Sequence, residues 1–195
     1  MSDTQPSSAE TVAELNDLLQ LDHDAVQAYS MAIGQVRSGS FRDDLVRFRA
    51  DHQRHIDELT ELIQARGGIP VQLPHLPTGV FKLAMQSLGA VGGDREVLLA
   101  FKANEAQVRD KYRRHAERAV ALDVKDVLVR ALADEERHYA WADESVRALG
   151  GGPGTPQDMV QDAVETVHGR TADAIESVGR RVMETVERMR PGGSA

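Results

Sequence analysis

The sequence has no cysteine among its 195 residues. Disulfide bonds, thiol catalysis, thiolate zinc sites and cysteine-ligated iron–sulfur clusters are therefore excluded, and any metal must be held by histidine and carboxylate side chains. Aromatic residues make up only 4% of the chain, which disfavours most β-sheet architectures because these are enriched in aromatic and β-branched residues. No apolar run approaches the roughly 18 residues that a transmembrane helix needs.

Basic residues are scarce relative to acidic ones. The 23 Lys and Arg residues against 31 Asp and Glu residues give a formal net charge of -8, and no local basic patch offsets it. Binding to nucleic acid or to an anionic membrane surface is therefore not expected. The start of the chain, MSDTQPSSAE, has neither a basic nor an apolar signal region, so we expect a soluble, cytoplasmic protein.

The hydrophobic pattern predicts an all-α protein. Apolar residues recur at spacings of three and four, and no stretch alternates with the period of two that is typical of strands. The predicted segments are helix 1 from after Ser7, where Ser7 and Glu10 have capping-box spacing, to about Arg37; helix 2 from near Ser40 to Gly67; helix 3 from Asp94; and helix 4 from Asp123 to Gly150.

The connections between these helices predict their topology. Short turns join helix 1 to helix 2 and helix 3 to helix 4, so each pair is expected to be antiparallel. Between helices 2 and 3, Pro70, Pro74 and Pro77 exclude a regular helix, and the connection is long enough to traverse a bundle roughly 40 Å long. We therefore predict a four-helix bundle over residues 8–149 with one long crossover between helices 2 and 3.

The C-terminal part is predicted to be separate from the bundle. A Gly/Pro linker at 150–156 precedes an amphipathic helix at 157–190, whose narrow apolar stripe contains neither Leu nor an aromatic residue. Such a stripe suggests docking on the bundle, self-association into a homo-oligomer, or delivery to a protein partner such as a shell. Residues 1–7 and 191–195 are predicted to be disordered.

Polar side chains of metal-ligating types interrupt the apolar stripe of every bundle helix. Each of them alone is typical of a core group that a neighbour satisfies. Burying several unpaired carboxylates costs several kcal/mol each, however, so the whole set indicates a compensating metal centre. The interrupting residues are Asp22 in helix 1, His52 and His55 in helix 2, Glu105 in helix 3, and Glu135 and His138 in helix 4.

A single numerical offset relates the two halves of the bundle. Adding 83 to the numbers of the candidate residues in helices 1 and 2 gives the numbers of those in helices 3 and 4. The residue types agree in every pair except that of His52 with Glu135. This agreement indicates an internal repeat, and a pseudo-twofold axis between the halves is expected to bring both sets to one height. The pairs are Asp22 with Glu105, Tyr29 with Tyr112, His52 with Glu135, and His55 with His138.

These residues resemble the ferritin-like di-iron carboxylate proteins, and rubrerythrin-type members in particular, over roughly residues 8–149. In that family one helix of each half provides a carboxylate, often followed by a Tyr, and the other provides a Glu-x-x-His pair. The intact pair in this sequence is Glu135 with His138. The resemblance implies two iron ions, reaction with O2 or peroxide, and a relay or supporting role for Tyr29 and Tyr112.

The resemblance also implies a role for each ligand. Glu135 is expected to bridge or chelate the ions, His55 and His138 to cap one ion each, and Asp22 and Glu105 to complete the ligand sets. Two divalent ions close together need bridging anionic oxygens, while imidazole nitrogen suits iron and zinc.

The sequence departs from the family pattern in two places. Helix 1 offers the shorter Asp22, and helix 2 offers His52 at the position where the family has a bridging Glu. The departure leaves three alternatives open, namely an asymmetric di-metal centre, a mononuclear centre and a site tuned to zinc. Manganese is a further alternative to iron.

Several neighbouring polar residues receive no ligand role in this interpretation. Asp51 lies about 100° around the helix from His52 and is expected to point away from the apolar stripe that carries the ligand-type residues. Arg54 and Arg137 are expected to be ordinary exposed or supporting charges. His115 is about 15 Å along the helix axis from Glu105, which is too far for the same centre.

Two hypotheses for the function follow. The first is a cytoplasmic metal-binding protein that reacts with O2 or peroxide, as a ferroxidase or peroxidase that oxidises Fe(II) or removes oxidant. The second is a non-catalytic stress or scaffold protein with a degenerate metal site, in which the C-terminal helix mediates assembly. The effect of Glu135 or His138 substitutions on metal content distinguishes the two.

Overall fold

The computed structural model describes residues 7–74 and 93–150. These ranges contain helices and no β-strand, which confirms the predicted all-α, four-helix architecture. The predicted linker from residue 151, the C-terminal helix at 157–190, both termini and most of the crossover lie outside the described residues. The helices are α1 (Ser8–Gln35), α2 (Gly39–Ala65), α3 (Asp94–Arg118) and α4 (Leu122–Ala148).

The four helices are arranged as two hairpins packed side by side. α1 packs against α2 and α3, and α4 packs against α3 and α2, so that α1 and α4 lie diagonally across the bundle. Short turns at 36–38 and 119–121 connect the members of each hairpin. Within the described ranges, no helix combines the length and apolar character needed to cross a bilayer.

The first helix begins as the sequence predicts. The Ser7 hydroxyl accepts a hydrogen bond from the Glu10 backbone N–H at 3.2 Å, and the Glu10 carboxylate accepts one from the Ser7 backbone N–H at 2.7 Å. This reciprocal capping box satisfies two backbone donors that a helix N-terminus otherwise leaves unpaired.

The end of α1 differs from the prediction, whereas the start of α2 agrees with it. α1 ends at Gln35 rather than at about Arg37, because the Asp94 carboxylate at the start of α3 accepts hydrogen bonds from the backbone N–H groups of Arg37 and Ser38, at 2.6 and 2.8 Å. Ser38 then serves as the N-cap of α2, so that α2 begins at Gly39. A tertiary contact thus ends the first helix and links the two hairpins.

The C-terminus of α2 is a Schellman motif. The backbone N–H of Gly67 donates to the Gln64 carbonyl and that of Gly68 donates to the Ile63 carbonyl, both at 2.9 Å, and Gly67 has φ +72°. The helix therefore ends at Ala65, slightly before the predicted glycine pair.

The start of α4 is a second correction. Asp123 does not open the helix, because α4 begins at Leu122 and its N-cap is Ala121, which provides no side-chain cap. The Asp123 carboxylate instead accepts a hydrogen bond from the Arg66 guanidinium at 2.6 Å, which joins the end of α2 to the first turn of α4.

The core of the bundle is divided into two apolar clusters at different heights. One includes Leu15, Leu59 and Leu128, and the other includes Phe48 and Phe101. In every helix the residues between the two clusters are the polar ones that interrupt the apolar stripe. The packing therefore places a polar layer across the middle of an otherwise apolar interior.

Candidate metal centre

The polar layer consists of six fully buried side chains contributed by all four helices. Each predicted ligand is at most 1% exposed. Each side chain points inward because its helix presents the same face to the core one or two turns above and below it. The six residues are Asp22 on α1, His52 and His55 on α2, Glu105 on α3, and Glu135 and His138 on α4.

The six side chains form two overlapping groups, each of which can surround a cation. Within each group, one potential ligand atom from every residue lies within 4.8 Å of the others. His52 and Glu135 belong to both groups. We name the group of Asp22, His52, His55 and Glu135 site A, and the group of His52, Glu105, Glu135 and His138 site B.

Glu135 lies between the two sites and directs one oxygen towards each. Its Oε1 is 3.6 Å from Nδ1 of His52 and 3.4 Å from Nδ1 of His55, which belong to site A. Its Oε2 is 3.7 Å from Nδ1 of His138, which also lies 3.7 Å from Glu105 Oε2 in site B. This placement suits a carboxylate that bridges two ions.

Many polar atoms of the layer have no hydrogen-bond partner among the described residues. They include both carboxylate oxygens of Glu105, both of Glu135, and Nδ1 of His55 and of His138. Leaving a buried polar atom unpaired costs roughly 1–3 kcal/mol, and more when the group is charged. One cation in site A and one in site B would provide partners for these atoms, so the donor set fits the metal pair that the fold resemblance implies.

The two histidines that are predicted to cap the ions are oriented by carboxylates on the opposite hairpin. Nε2 of His55 is 3.2 Å from Asp134 on α4, and Nε2 of His138 is 3.1 Å from Asp51 on α2. In a neutral imidazole whose Nε2–H donates to such a carboxylate, Nδ1 holds the lone pair and faces the centre of the bundle. Carboxylate partners of this kind fix the ring and make the ligand nitrogen more basic.

Asp51 and Asp134 are held in turn by two arginines. Arg54 pairs with both carboxylates, and so does Arg137, with 2.7 Å between Arg137 and Asp51 and 2.6 Å between Arg137 and Asp134. The result is a closed charged network across the α2–α4 contact. It covers the outer side of both capping histidines.

The positions of these carboxylates differ from the prediction. The helical phase of Asp51 predicts that it points away from the apolar stripe, but Asp51 reaches across to α4 and contacts His138. Asp134 likewise lies off the apolar stripe of α4 and contacts His55. The offset of 83 relates Asp51 to Asp134 and Arg54 to Arg137, so the signal was present in the segments DHQRH and DEERH. Position on the apolar stripe of a single helix does not identify these two carboxylates, because they contact the neighbouring helix.

Two buried tyrosines contact the polar layer from opposite sides. The Tyr112 hydroxyl donates a 2.5 Å hydrogen bond to Asp22 Oδ2. Tyr29 packs edge-on against Phe101 at a ring-centroid distance of 4.6 Å and lies 5.0 Å from the His52 ring. Burial, together with the nearby carboxylates, raises the pKa of both tyrosines well above the usual value, so both phenols are neutral at neutral pH.

The charges of the metal-free layer are distributed unevenly between the sites. Burial opposes ionisation of Asp22, but the 2.8 Å hydrogen bond from His52 and the nearby imidazole of His55 outweigh it and lower the pKa of Asp22. Burial and the neighbouring Glu135 raise the pKa of Glu105. Burial opposes protonation of His55, but the carboxylates of Asp134, Asp22 and Glu135, which lie 3.2 to 3.5 Å from its ring nitrogens, raise its pKa to about 12.

A second buried polar group lies nearer the end of the bundle and is separate from the layer. Nζ of Lys111 is 3.0 Å from Asp17, and Nε2 of His115 is 3.9 Å from the same carboxylate. His115 is 4% exposed. Its placement agrees with the expectation that it does not join the centre formed around Glu105.

Comparison with known proteins identifies both the fold and the family. A crystal structure of ferritin-like, diiron-carboxylate proteins from Bacillus anthracis str. Ames superposes with a TM-score of 0.57 at 20% sequence identity, covering 72% of this chain and 99% of that chain. No curated protein matches the chain. The model of the DUF2383 family, described as a domain of unknown function, matches residues 10–114, more than half of the chain. The chain has a ferritin-like fold and belongs to the DUF2383 family.

Proposed function

We propose that the protein binds two divalent metal ions, with iron as the natural pair, and reacts with O2 or peroxide, either oxidising Fe(II) or removing the oxidant. The observation that carries this proposal is the pair of overlapping four-residue groups in the interior, whose inward ligand atoms have no partners among the described residues. Burying these carboxylates and imidazoles without a partner costs free energy, and bound cations would provide the missing partners.

The positions of the donors support two ions rather than one. The three carboxylates of Asp22, Glu105 and Glu135 would leave one negative charge with a single divalent ion and one positive charge with two, so charge balance is equally close in both cases. The positions of the two outer histidines, one in each site, agree with one nitrogen cap for each ion.

A bound iron pair would supply two electrons, the number that reduces one peroxide to water. The protein provides the conditions for that chemistry. Its apolar clusters above and below the layer exclude bulk water, and the neutral tyrosine phenols can donate hydrogen bonds inside a dry site. The charged network of Asp51, Asp134 and the two arginines keeps the capping histidines in place.

Metal content tests the proposal directly. The metal-free protein is loaded anaerobically with Fe(II), desalted and measured by elemental analysis, with Glu135→Gln as the test variant and Glu136→Gln as its control. Glu136 is the next residue on α4 but is exposed and pairs with Arg113 on the surface. We expect about two irons per chain in the unmodified protein and in the control, and loss of iron from Glu135→Gln.

Oxidation kinetics then separate the two reactions. Loaded protein is mixed with O2 or with hydrogen peroxide, and Fe(III) formation is followed by absorbance while oxidant consumption is measured in parallel. Turnover with either oxidant that is lost in Glu135→Gln supports the proposal. Absence of bound iron, zinc and manganese contradicts it and favours the non-catalytic assembly role.

A further inference from the structure

A half-buried tryptophan lies between the polar layer and the surface of the bundle. Trp141, on α4, is the only tryptophan of the chain. We infer that Trp141 is an electron donor to the buried centre and gives up one electron when the bound iron cannot supply both electrons that a peroxide takes. This inference rests on the proposed function and adds to it the residue through which further electrons reach the centre.

One aromatic ring separates Trp141 from a predicted ligand. The Phe48 ring centroid lies 5.2 Å from that of Trp141 and 4.4 Å from that of His138, a member of site B. Trp141 also lies 6.3 Å from Phe101, whose ring packs edge-on against Tyr29. These contacts form a continuous path of rings from the layer to Trp141, and electron transfer is fastest over short distances of this kind.

The burial of the layer makes such a path necessary. The six ligand-type residues are at most 1% exposed, so a reductant in solution cannot touch them. Tryptophan and tyrosine are the aromatic side chains that are oxidised most easily, whereas phenylalanine passes an electron on without being oxidised. On the path through Phe48, Trp141 is therefore the point at which an electron is withdrawn and, because its ring is half-buried, replaced from solution.

A carboxylate is placed to take the proton that an oxidised tryptophan releases. The Trp141 Nε1–H donates a hydrogen bond to Asp44 Oδ2 at 3.0 Å. An indole that has lost an electron is a strong acid, so a proton acceptor within hydrogen-bond distance favours the oxidation. Asp44 lies on α2, pairs with Arg47 and is 23% exposed, so it can exchange the proton with water.

Tyr139 provides a contrast two residues earlier on α4. Its ring is also half-buried, but Arg109 lies 4.0 Å and Lys102 5.8 Å from the ring centroid. Positive charges beside a ring oppose the loss of an electron, whereas a carboxylate at the indole N–H favours it. Of these two half-buried rings, Trp141 is the one whose surroundings suit electron donation.

The electrons and atoms of the proposed step balance. Reduction of one peroxide takes two electrons, of which a single Fe(II) supplies one as it is oxidised to Fe(III). Trp141 supplies the other, and its Nε1 proton moves to Asp44, which leaves a neutral tryptophan radical. The O–O bond breaks and both oxygens leave as hydroxide. An external one-electron reductant then returns the electron to Trp141, and Asp44 returns the proton.

The test uses the full-length, metal-free protein, loaded anaerobically with one equivalent of Fe(II) and then mixed with one equivalent of hydrogen peroxide. Electron paramagnetic resonance of rapidly frozen samples identifies the radical, and peptide mapping by mass spectrometry locates added oxygen. We expect a tryptophan radical and oxidation at Trp141, both lost in Trp141→Phe. Loading with two equivalents of Fe(II) should lower the radical yield, because the iron pair then supplies both electrons.

Variants of the hydrogen bond separate electron donation from packing. Asp44→Asn keeps a hydrogen-bond acceptor beside the indole but removes the base, and it should slow formation of the tryptophan radical about 100-fold. Asp44→Glu should restore the radical. Tyr139→Phe is the matched control and should leave the radical unchanged. None of the substituted residues belongs to site A or site B, so iron content should be the same in all variants.

The outcomes distinguish this inference from the proposed function. Iron that binds and consumes peroxide without a radical or added oxygen on Trp141 would overturn the inference alone. A radical confined to Tyr29 or Tyr112, or an equal rate of radical formation in Asp44→Asn, would do the same. Absence of bound iron would overturn both.

Discussion

His55 and Asp134 lie on different hairpins, and the imidazole Nε2 of the first is 3.2 Å from the carboxylate of the second. His138 and Asp51 repeat the relationship at 3.1 Å with the helices exchanged. Each half of the bundle thus orients the capping histidine of the other half. The geometry of the candidate metal centre depends on how the two hairpins are docked, and not only on the residues within each helix.

The first prediction concerns these carboxylates. Asp134→Asn and Asp51→Asn should each lower metal affinity about 10–100-fold, because substituting the partner of a ligating histidine loosens the ring and makes its nitrogen less basic. Competition with a chelator of known affinity measures the change. Asp57→Asn is the control, since Asp57 is an exposed residue on α2 that accepts a hydrogen bond from the Gln53 side chain at the surface. An unchanged affinity in Asp134→Asn would contradict the proposed orientation of His55.

The second prediction concerns the pH dependence of stability without metal. The pKa of His55 is raised to about 12, and that of Glu105 is also raised. In the unfolded chain His55 loses its proton above about pH 6.5 and Glu105 above about pH 4.5, whereas the folded protein keeps both protons to higher pH. The stabilisation that each bound proton provides is complete below its unfolded-state pKa and is lost as pH rises towards its folded-state pKa. The free energy of unfolding should therefore fall between pH 6 and pH 9, by at most about 1.4 kcal/mol per pH unit for each proton.

Urea unfolding of the metal-free protein at three pH values in this window measures the slope. The same series with saturating Zn²⁺ provides the comparison, because a bound metal displaces those protons and its stabilising effect should grow with pH. A metal-free stability that rises from pH 6 to pH 9 would show that the interior does not hold these protons.

The third prediction concerns Tyr112. Tyr112→Phe removes the hydroxyl that donates to Asp22 and should lower the free energy of unfolding by about 1.5–3 kcal/mol, the usual range for a hydrogen bond to a charged group. Chemical denaturation of the metal-free proteins measures the difference. Tyr139→Phe serves as the control, because the Tyr139 ring lies against Arg109 and Lys102 near the surface. Equal effects of the two variants would contradict the prediction.

The fourth prediction concerns the buried ion pair of Lys111 and Asp17. Both side chains are at most 5% exposed, so Asp17→Asn leaves a buried cation poorly compensated and should cost about 3–5 kcal/mol of stability. Glu58→Gln, which breaks a surface pair with Arg130, should change stability by about 1 kcal/mol or less. Thermal and urea unfolding of both variants provide the comparison. A small loss in Asp17→Asn would mean that the pair contributes little.

Much of the fold can be predicted from the sequence because the signals are local and repeated. Long stretches with period near 3.6, the capping box of Ser7 and the short turns are enough to predict four antiparallel helices. The errors come from contacts between distant segments. Asp94 ends α1 early by accepting hydrogen bonds from the backbone at 37–38, and Asp123 lies inside the first turn of α4 and pairs with Arg66. Neither contact can be read from the local sequence.

The candidate metal centre also divides into a part that the local sequence predicts and a part that depends on long-range contacts. The place of each ligand-type residue on the apolar stripe of its helix is local information, and the structure brings all six residues together. Asp51 and Asp134 lie off the apolar stripes of their own helices, so their contacts depend on how α2 and α4 pack. In the sequence, the offset of 83 residues marks this pair only when it is applied to residues other than the predicted ligands.

The single mismatch in the repeat, His52 against Glu135, has a consequence for how such a centre can arise. A dimer of two identical hairpins would carry the same residue at both positions, two histidines or two glutamates. Joining both hairpins in one polypeptide allows one copy to mutate while the other is retained. Gene fusion thus makes it possible for a two-fold symmetric scaffold to hold an asymmetric interior.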